Sequence, residues 1–189
     1  MAEAGEIRTD EELDAEAQAR RRLALAQIRQ YPDPVLRLAA KEVEEFDEDL
    51  ERLVQRMTGL LRDAAGLGLA ATQVGILRRV FVFQREDEEV LALVNPALAD
   101  RSEESEVDTE GCLSMQGVTV PVERATHVAV EGRTPSGEEV RVELDDLEAR
   151  VAQHELDHLD GKLILDRTDD ESRREALAIL RPKTVLDLA

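Results

Sequence analysis

The chain has 189 residues, enough for one ordinary domain with its own core and too few for two comfortable ones. Its 43 acidic residues outnumber 24 basic ones, and the formal charge of −19 opposes sequence-independent attraction to DNA or to an anionic membrane surface. A single cysteine, Cys112, excludes an internal disulfide and reads as cytoplasmic, and no run near 18 apolar residues offers a membrane span.

Residues 1 to about 22 are rich in Glu, Asp, Ala and Arg, with little to bury, and predict a frayed helix or disordered arm without the apolar run of a signal peptide. Globular sequence begins near Ile28. YPDPVLR (31–37) brackets Asp33 with prolines and predicts a turn or loop. Leu50, Leu53, Val54, Met57, Leu60, Leu61 and Ala64 recur at helical spacing, predicting an amphipathic helix over 47–65 that Gly66 ends. The period then changes to that of strands at 79–83, 90–95, 118–122, 127–132 and 139–144, with TPSG (134–137) as a hairpin turn and Pro121 marking an edge or bulge. A helix over 146–160, stopped by Gly161, and a last helix over 169–180 with an acidic start complete the chain. Strands in one block, flanked by helices without regular alternation, imply an α+β fold: mixed or antiparallel strands packed around a central helix, with a C-terminal helix.

QHELDHLDG (153–161) carries two of the three histidines, four positions apart. On a helix His154 and His158 share one face, and Leu147 and Val151 continue the same stripe, so both imidazoles lie on the core side. Two buried, unpartnered imidazoles would cost about 1–3 kcal/mol each, and a metal ion is the economical partner. Glu155 sits about 100° around the helix, off the ligand face but within reach of a water beside the ion. A bare HExxH pattern also arises by chance. A catalytic site of this type takes three protein ligands. The third histidine of metzincin proteases is replaced by Ile164, which excludes that class. Glu171 and Glu175 are available in the last helix, although acids there also suit the helix dipole. Cys112, in the turn-like TEGCLSMQG, is the other candidate; a lone cysteine is by default a small buried hydrophobe. GLGLAATQVG (66–75) follows a helix and lacks both the dinucleotide fingerprint and a following Lys-Ser/Thr, so a nucleotide site is not expected. His127 lies on an alternating strand and reads as structural or surface-exposed.

EGCLS (110–114) and QHELDH (153–158), preceded by GLGLAATQVG, resemble the three signature motifs of the peptide deformylase family in order and spacing, and YPDPVLR and HLDGKLILDR (158–167) fit it too. The resemblance spans roughly residues 28–167. It implies a single catalytic domain over 27–189 behind a flexible acidic arm at 1–26, and a cytoplasmic hydrolase that removes the formyl group from N-formylmethionyl nascent polypeptides, releasing formate. It assigns Cys112, His154 and His158 as ligands of one divalent ion, Fe(II) natively, with zinc, nickel or cobalt able to occupy the site. It assigns Glu155 as general base and acid, with the Gln73 amide and the Leu113 backbone N–H as donors to the developing oxyanion. Gly66, Leu67 and Gly68 would receive the peptide, and Leu147 and Val151 would wall a slot for the methionine side chain. Arg124 is expected to pair with Glu110 and fix the cysteine loop. Two positions depart from the family pattern: Gln116 stands where proline is common, and Thr119 where some members carry a peptide-holding arginine.

The competing readings are an HExxH zinc endopeptidase with Glu171 or Glu175 as third ligand, and a non-catalytic metal-stabilised binding module. Transient ribosome contact would need the C-terminal basic residues Arg173, Arg174, Arg181 and Lys183. Neither DNA nor membrane is an expected partner, and a monomer is the default.

Overall fold

A computed structural model describes residues 14–181. Residues 1–13 of the acidic arm, together with Lys183, lie outside the described residues. The first helix, α1 (Ala15–Leu25), starts where the Asp14 carboxylate accepts from the Glu16 and Ala17 N–H groups. Its face is mostly polar, but Ala24, Leu25 and then Ile28 turn inward against α2 (Glu48–Asp63). The 31–37 segment becomes a single 3-10 turn at Pro34–Arg37, capped by Asp33 and anchored by the fully buried Leu36.

The α2 stripe predicted from periodicity is the buried one: Leu50, Leu53, Met57, Leu60 and Leu61 pack inward, and Asp47 caps the start through Leu50 N–H at 3.0 Å. Its end differs from expectation. Ala65, not Gly66, carries the left-handed conformation (φ 52°), and the Gly66 N–H then reaches back to Leu61 O at 3.0 Å.

Seven strands follow: β1 (Gly68–Ala70), β2 (Val80–Gln84), β3 (Val90–Arg101), β4 (Ser105–Gly111), β5 (Thr119–Ala125), β6 (His127–Arg133) and β7 (Glu139–Asp145). Five form an antiparallel sheet in the order β1-β2-β3-β6-β7, and β4 pairs with β5 in a separate antiparallel ribbon. Pro121 sits in that two-stranded ribbon, where every strand is an edge. β3 shifts register between Val94 and Ala97, and Asn95 (φ 52°) turns its amide there to hold both backbone groups of Val43 at 2.7 and 2.8 Å.

The helix α3 (Asp146–Leu159) touches both sheets, which makes it the centre of the molecule. Ala149, Ala152, Leu156 and Leu159 press it onto Phe81, Phe83, Leu93, Val128, Val130 and Leu144; each large side chain buried there contributes about 1.5–3 kcal/mol. The last helix, α4 (Asp170–Leu180), seats Ala176 in a third cluster with Val120, Val122 and Leu163 beside the ribbon. The result is the expected α+β arrangement with helix α3 at its middle.

Candidate metal centre

The histidines project from the middle of α3, while Cys112 comes from the turn that joins β4 to β5. That turn is held from outside: Gln30 Nε2 donates to Leu113 O at 2.9 Å, and the Tyr31 N–H to Ser114 O at 2.8 Å, which is how the proline-bracketed segment bears on the site. The Cys112 sulfur lies 3.3 Å from His158 Nε2, and His158 Nε2 lies 3.2 Å from His154 Nε2. One donor atom from each of the three residues falls within 4.8 Å of the others.

This triangle fits a cation. Two imidazole nitrogens bound to one tetrahedral ion at about 2.0–2.1 Å stand about 3.4 Å apart, close to the spacing seen. Burial, reinforced by His154, holds the His158 pKa well below 6.5, so its imidazole is neutral. Burial also opposes charge on His154, yet its hydrogen bonds to Cys112 and Glu110 raise its pKa well above 6.5.

Glu155 is buried beside the triangle with its Oε2 lacking a hydrogen-bond partner among the described residues. Burial is the main cause that raises its pKa to about 7. Gly68 makes room for it: a Cβ there would overlap the Glu155 carboxylate, with the carboxylate carbon at 2.8 Å. Gln73 is oriented by its own oxygen, which accepts the Ala70 N–H at 2.8 Å, leaving Nε2 to face Ser114 Oγ at 3.1 Å and Cys112 Sγ at 3.7 Å.

A cleft opens onto this cluster. Gly66, Leu67, Gly68, Leu147 and Val151 all line it, as do Gln73, Leu113, Cys112, His154 and Glu155. The structure therefore brings together the substrate, catalytic and ligand residues expected from sequence, His158 lying immediately behind. Gln116 and Thr119 are exposed at the rim of the β4–β5 turn. Glu171 and Glu175 are exposed on α4, and the only metal-sized cluster among the described residues uses Cys112 instead, which disfavours the endopeptidase reading. His127 is on the surface, with Nδ1 2.8 Å from Asp145 and Nε2 3.1 Å from Glu143.

Behind His154 lies a charged network that the sequence showed only in its Arg124–Glu110 pair. His154 Nδ1 is 3.0 Å from Glu110 Oε2, and Arg124 grips both oxygens of that carboxylate at 2.9 and 3.0 Å. The pair is buried, not on the surface. Burial works against the Glu110 charge, but His154 and Arg124 hold its pKa well below the usual carboxylate range. Arg124 also donates to Asp157 at 2.6 Å, and Arg167 closes on the same carboxylate. Arg150, Asp157 and Arg167 were not singled out from sequence. The available signal was Arg150, a charged residue four positions before His154 on an otherwise core-facing stripe.

An α+β domain that presents one thiol and two imidazoles at a cleft, with a buried carboxylate beside them on an HExxH helix, is built as a metal-dependent hydrolase. The family profile described as polypeptide deformylase matches residues 25–174, and the chain belongs to the peptide deformylase family. The peptide deformylase of Acidothermus cellulolyticus is 45% identical over 159 residues, covering 84% of this chain and 87% of that protein. That of Clostridium botulinum is 45% identical over 146 residues, 77% of this chain and 98% of the relative. The crystal structure of peptide deformylase from Thermotoga maritima matches with a TM-score of 0.73 at 44% identity, covering 75% of this chain and 96% of that one. The structure from Synechococcus elongatus in complex with actinonin gives 0.77 at 38% identity, covering 80% and 85%.

Proposed function

We propose that the chain deformylates N-formylmethionyl ends of nascent polypeptides in the cytoplasm, with Cys112, His154 and His158 holding one Fe(II) ion, a site that zinc, nickel or cobalt could also occupy. The observation that carries this reading is the convergence of one sulfur and two ring nitrogens at the floor of the cleft. A mixed sulfur and nitrogen donor set suits these borderline metals and disfavours magnesium or calcium. A divalent ion held there supplies Lewis acidity, making water a usable nucleophile near neutral pH and polarising the formyl carbonyl.

The protein supplies the rest. Glu155 takes the proton of the attacking water on its unpaired carboxylate oxygen and returns it to the departing amine. The Gln73 amide, fixed by Ala70, and the Leu113 N–H donate to the oxygen on which charge develops. Gly66 and Gly68 admit the peptide backbone, while Leu67, Leu147 and Val151 receive the methionine side chain and exclude water. Contact with the ribosome is a second element of the proposal, through the exposed Arg174 of α4 and Arg181 just after it, together with Lys183 of the sequence. Arg173 is less free, since it also donates to Leu165 O at 2.6 Å. Unchanged ribosome binding after neutralising these residues would remove that element.

The deciding experiment is formate release from a formyl-Met peptide by protein prepared without oxygen, combined with metal analysis; oxygen is excluded because a cysteine-ligated ferrous centre oxidises readily. One equivalent of metal with formate release is expected. Metal-loaded protein that releases no formate would overturn the reading.

A further inference from the structure

Arg150 is a buried arginine, about 6% exposed, on a helix face otherwise given to core and ligand residues. It lies one turn before His154 and lines the cleft between Leu147 and Val151. Such a side chain is costly to bury unless its donors are used. Here they are. Nη1 donates to Glu110 Oε1 at 2.9 Å and to Val122 O at 2.9 Å, and Nη2 donates to Glu106 O at 2.8 Å. One guanidinium from α3 thus reaches a backbone carbonyl of β4, a backbone carbonyl of β5, and the carboxylate that faces His154.

The division of labour at Glu110 follows from these bonds. Oε1 is occupied by Arg150 and by Arg124 Nε, which fixes the carboxylate plane. Oε2 is left for Arg124 Nη2 and for His154 Nδ1 at 3.0 Å. A carboxylate that accepts from Nδ1–H sets the tautomer and leaves the Nε2 lone pair pointing at the ligand triangle. Arg124 comes from β5 and is also tied to Asp157 of α3, whereas Arg150 springs from α3 itself, one turn before the ring it would steady.

We propose that Arg150 is a positioning residue for the metal centre, acting on His154 through the Glu110 carboxylate. The inference rests on the ligand set proposed above. Its alternative is a purely structural staple that holds the β4–β5 ribbon to α3 and leaves the ligand field untouched.

The test uses the full chain loaded with Co(II), whose absorption reports ligand geometry. Wild-type protein that binds one Co(II) with a thiolate charge-transfer band upholds the ligand set; failure of that control overturns the ligand set and not Arg150 in particular. Arg150→Met keeps an unbranched apolar stem and removes all three bonds. It is expected to weaken Co(II) affinity by about 10- to 100-fold and to shift the ligand-field bands while circular dichroism stays native. Because the effect passes through Glu110, the same substitution in a Glu110→Gln background is expected to change affinity by less than about threefold. Native affinity and bands in folded Arg150→Met, or equal losses in both backgrounds, would leave only the staple. If Arg150→Met does not fold, Arg150→Lys carries the decision: it keeps the charge without the planar fork, and a folded Lys variant with wild-type bands and affinity refutes the positioning role.

Discussion

Glu155 and Cys112 place separable demands on the site, because one binds no metal in the proposed scheme and the other does. Glu155→Gln keeps the shape and loses the proton acceptor, so formate release is expected to fall by about 10²- to 10⁴-fold with metal content unchanged. Near-wild-type turnover in that variant would remove Glu155 from proton transfer. Cys112→Ala is expected to lose both metal and activity, leaving two imidazoles without the anionic ligand; retention of both would return the endopeptidase scheme to consideration despite the exposure of Glu171 and Glu175. The ligand residues were legible because their chemistry is rare here: three histidines and one cysteine in 189 residues. Asp157 and Arg167 were not, since acids and arginines abound in this chain and only the fold distinguishes the few that pair around a buried carboxylate.

At the scale of elements, helix ends offer the sharpest tests. Gly161 ends α3 at φ +71°, and a Cβ there would stand 2.6 Å from the backbone oxygen of Arg37. Gly161→Ala combines left-handed strain with a clash against main chain, so a loss of about 1–3 kcal/mol is expected in urea unfolding, and a loss below about 0.5 would show that the turn relaxes freely. Asp169 caps α4 by accepting the Ser172 and Glu171 N–H groups at 2.9 Å, and the Ser172 backbone bond is the main cause that lowers its pKa below 3.8. A carboxylate with a depressed folded pKa stabilises above its unfolded value and loses that contribution as pH falls through the folded one. The difference in Tm between wild type and Asp169→Ala is therefore expected to be present at pH 6 and to shrink below about pH 4; a difference independent of pH would mean that the cap does not act through its charge. The strands show where sequence reading stops. Runs such as 127–132 carried alternating apolar residues and were legible, whereas β4 (SEVDTEG) has Val107 as its only large apolar residue and gave no apolar period. β1 has three residues, too few for any pattern, and its register follows from pairing with β2.

For the molecule as a whole, the ligands bridge two separately built parts: Cys112 belongs to the β4–β5 ribbon, and both histidines belong to the helix that packs on the five-stranded sheet. The unfolded chain holds these donors 42 and 46 positions apart in sequence, so an ion that needs all three binds the native state almost exclusively. Linkage then makes stability a function of free metal, adding about 2.7 kcal/mol at 100 times Kd and about 4.1 kcal/mol at 1,000 times Kd. Removing the ion with a chelator is expected to lower Tm, and returning Co(II) or Zn(II) to restore it in a concentration-dependent way. Cys112→Ala should start near the apo value and respond weakly. Hydrogen exchange locates the effect: the 111–118 turn and the ribbon should lose protection on chelation, while β2 and β3, whose pairing is independent of the site, should keep theirs. A Tm indifferent to chelation, with metal verified absent afterwards, would mean that the buried ion pairs of Arg150 with Glu110 and of Arg124 with Asp157 already hold ribbon and helix in place, and that the ion enters a centre preorganised by the fold's other interactions.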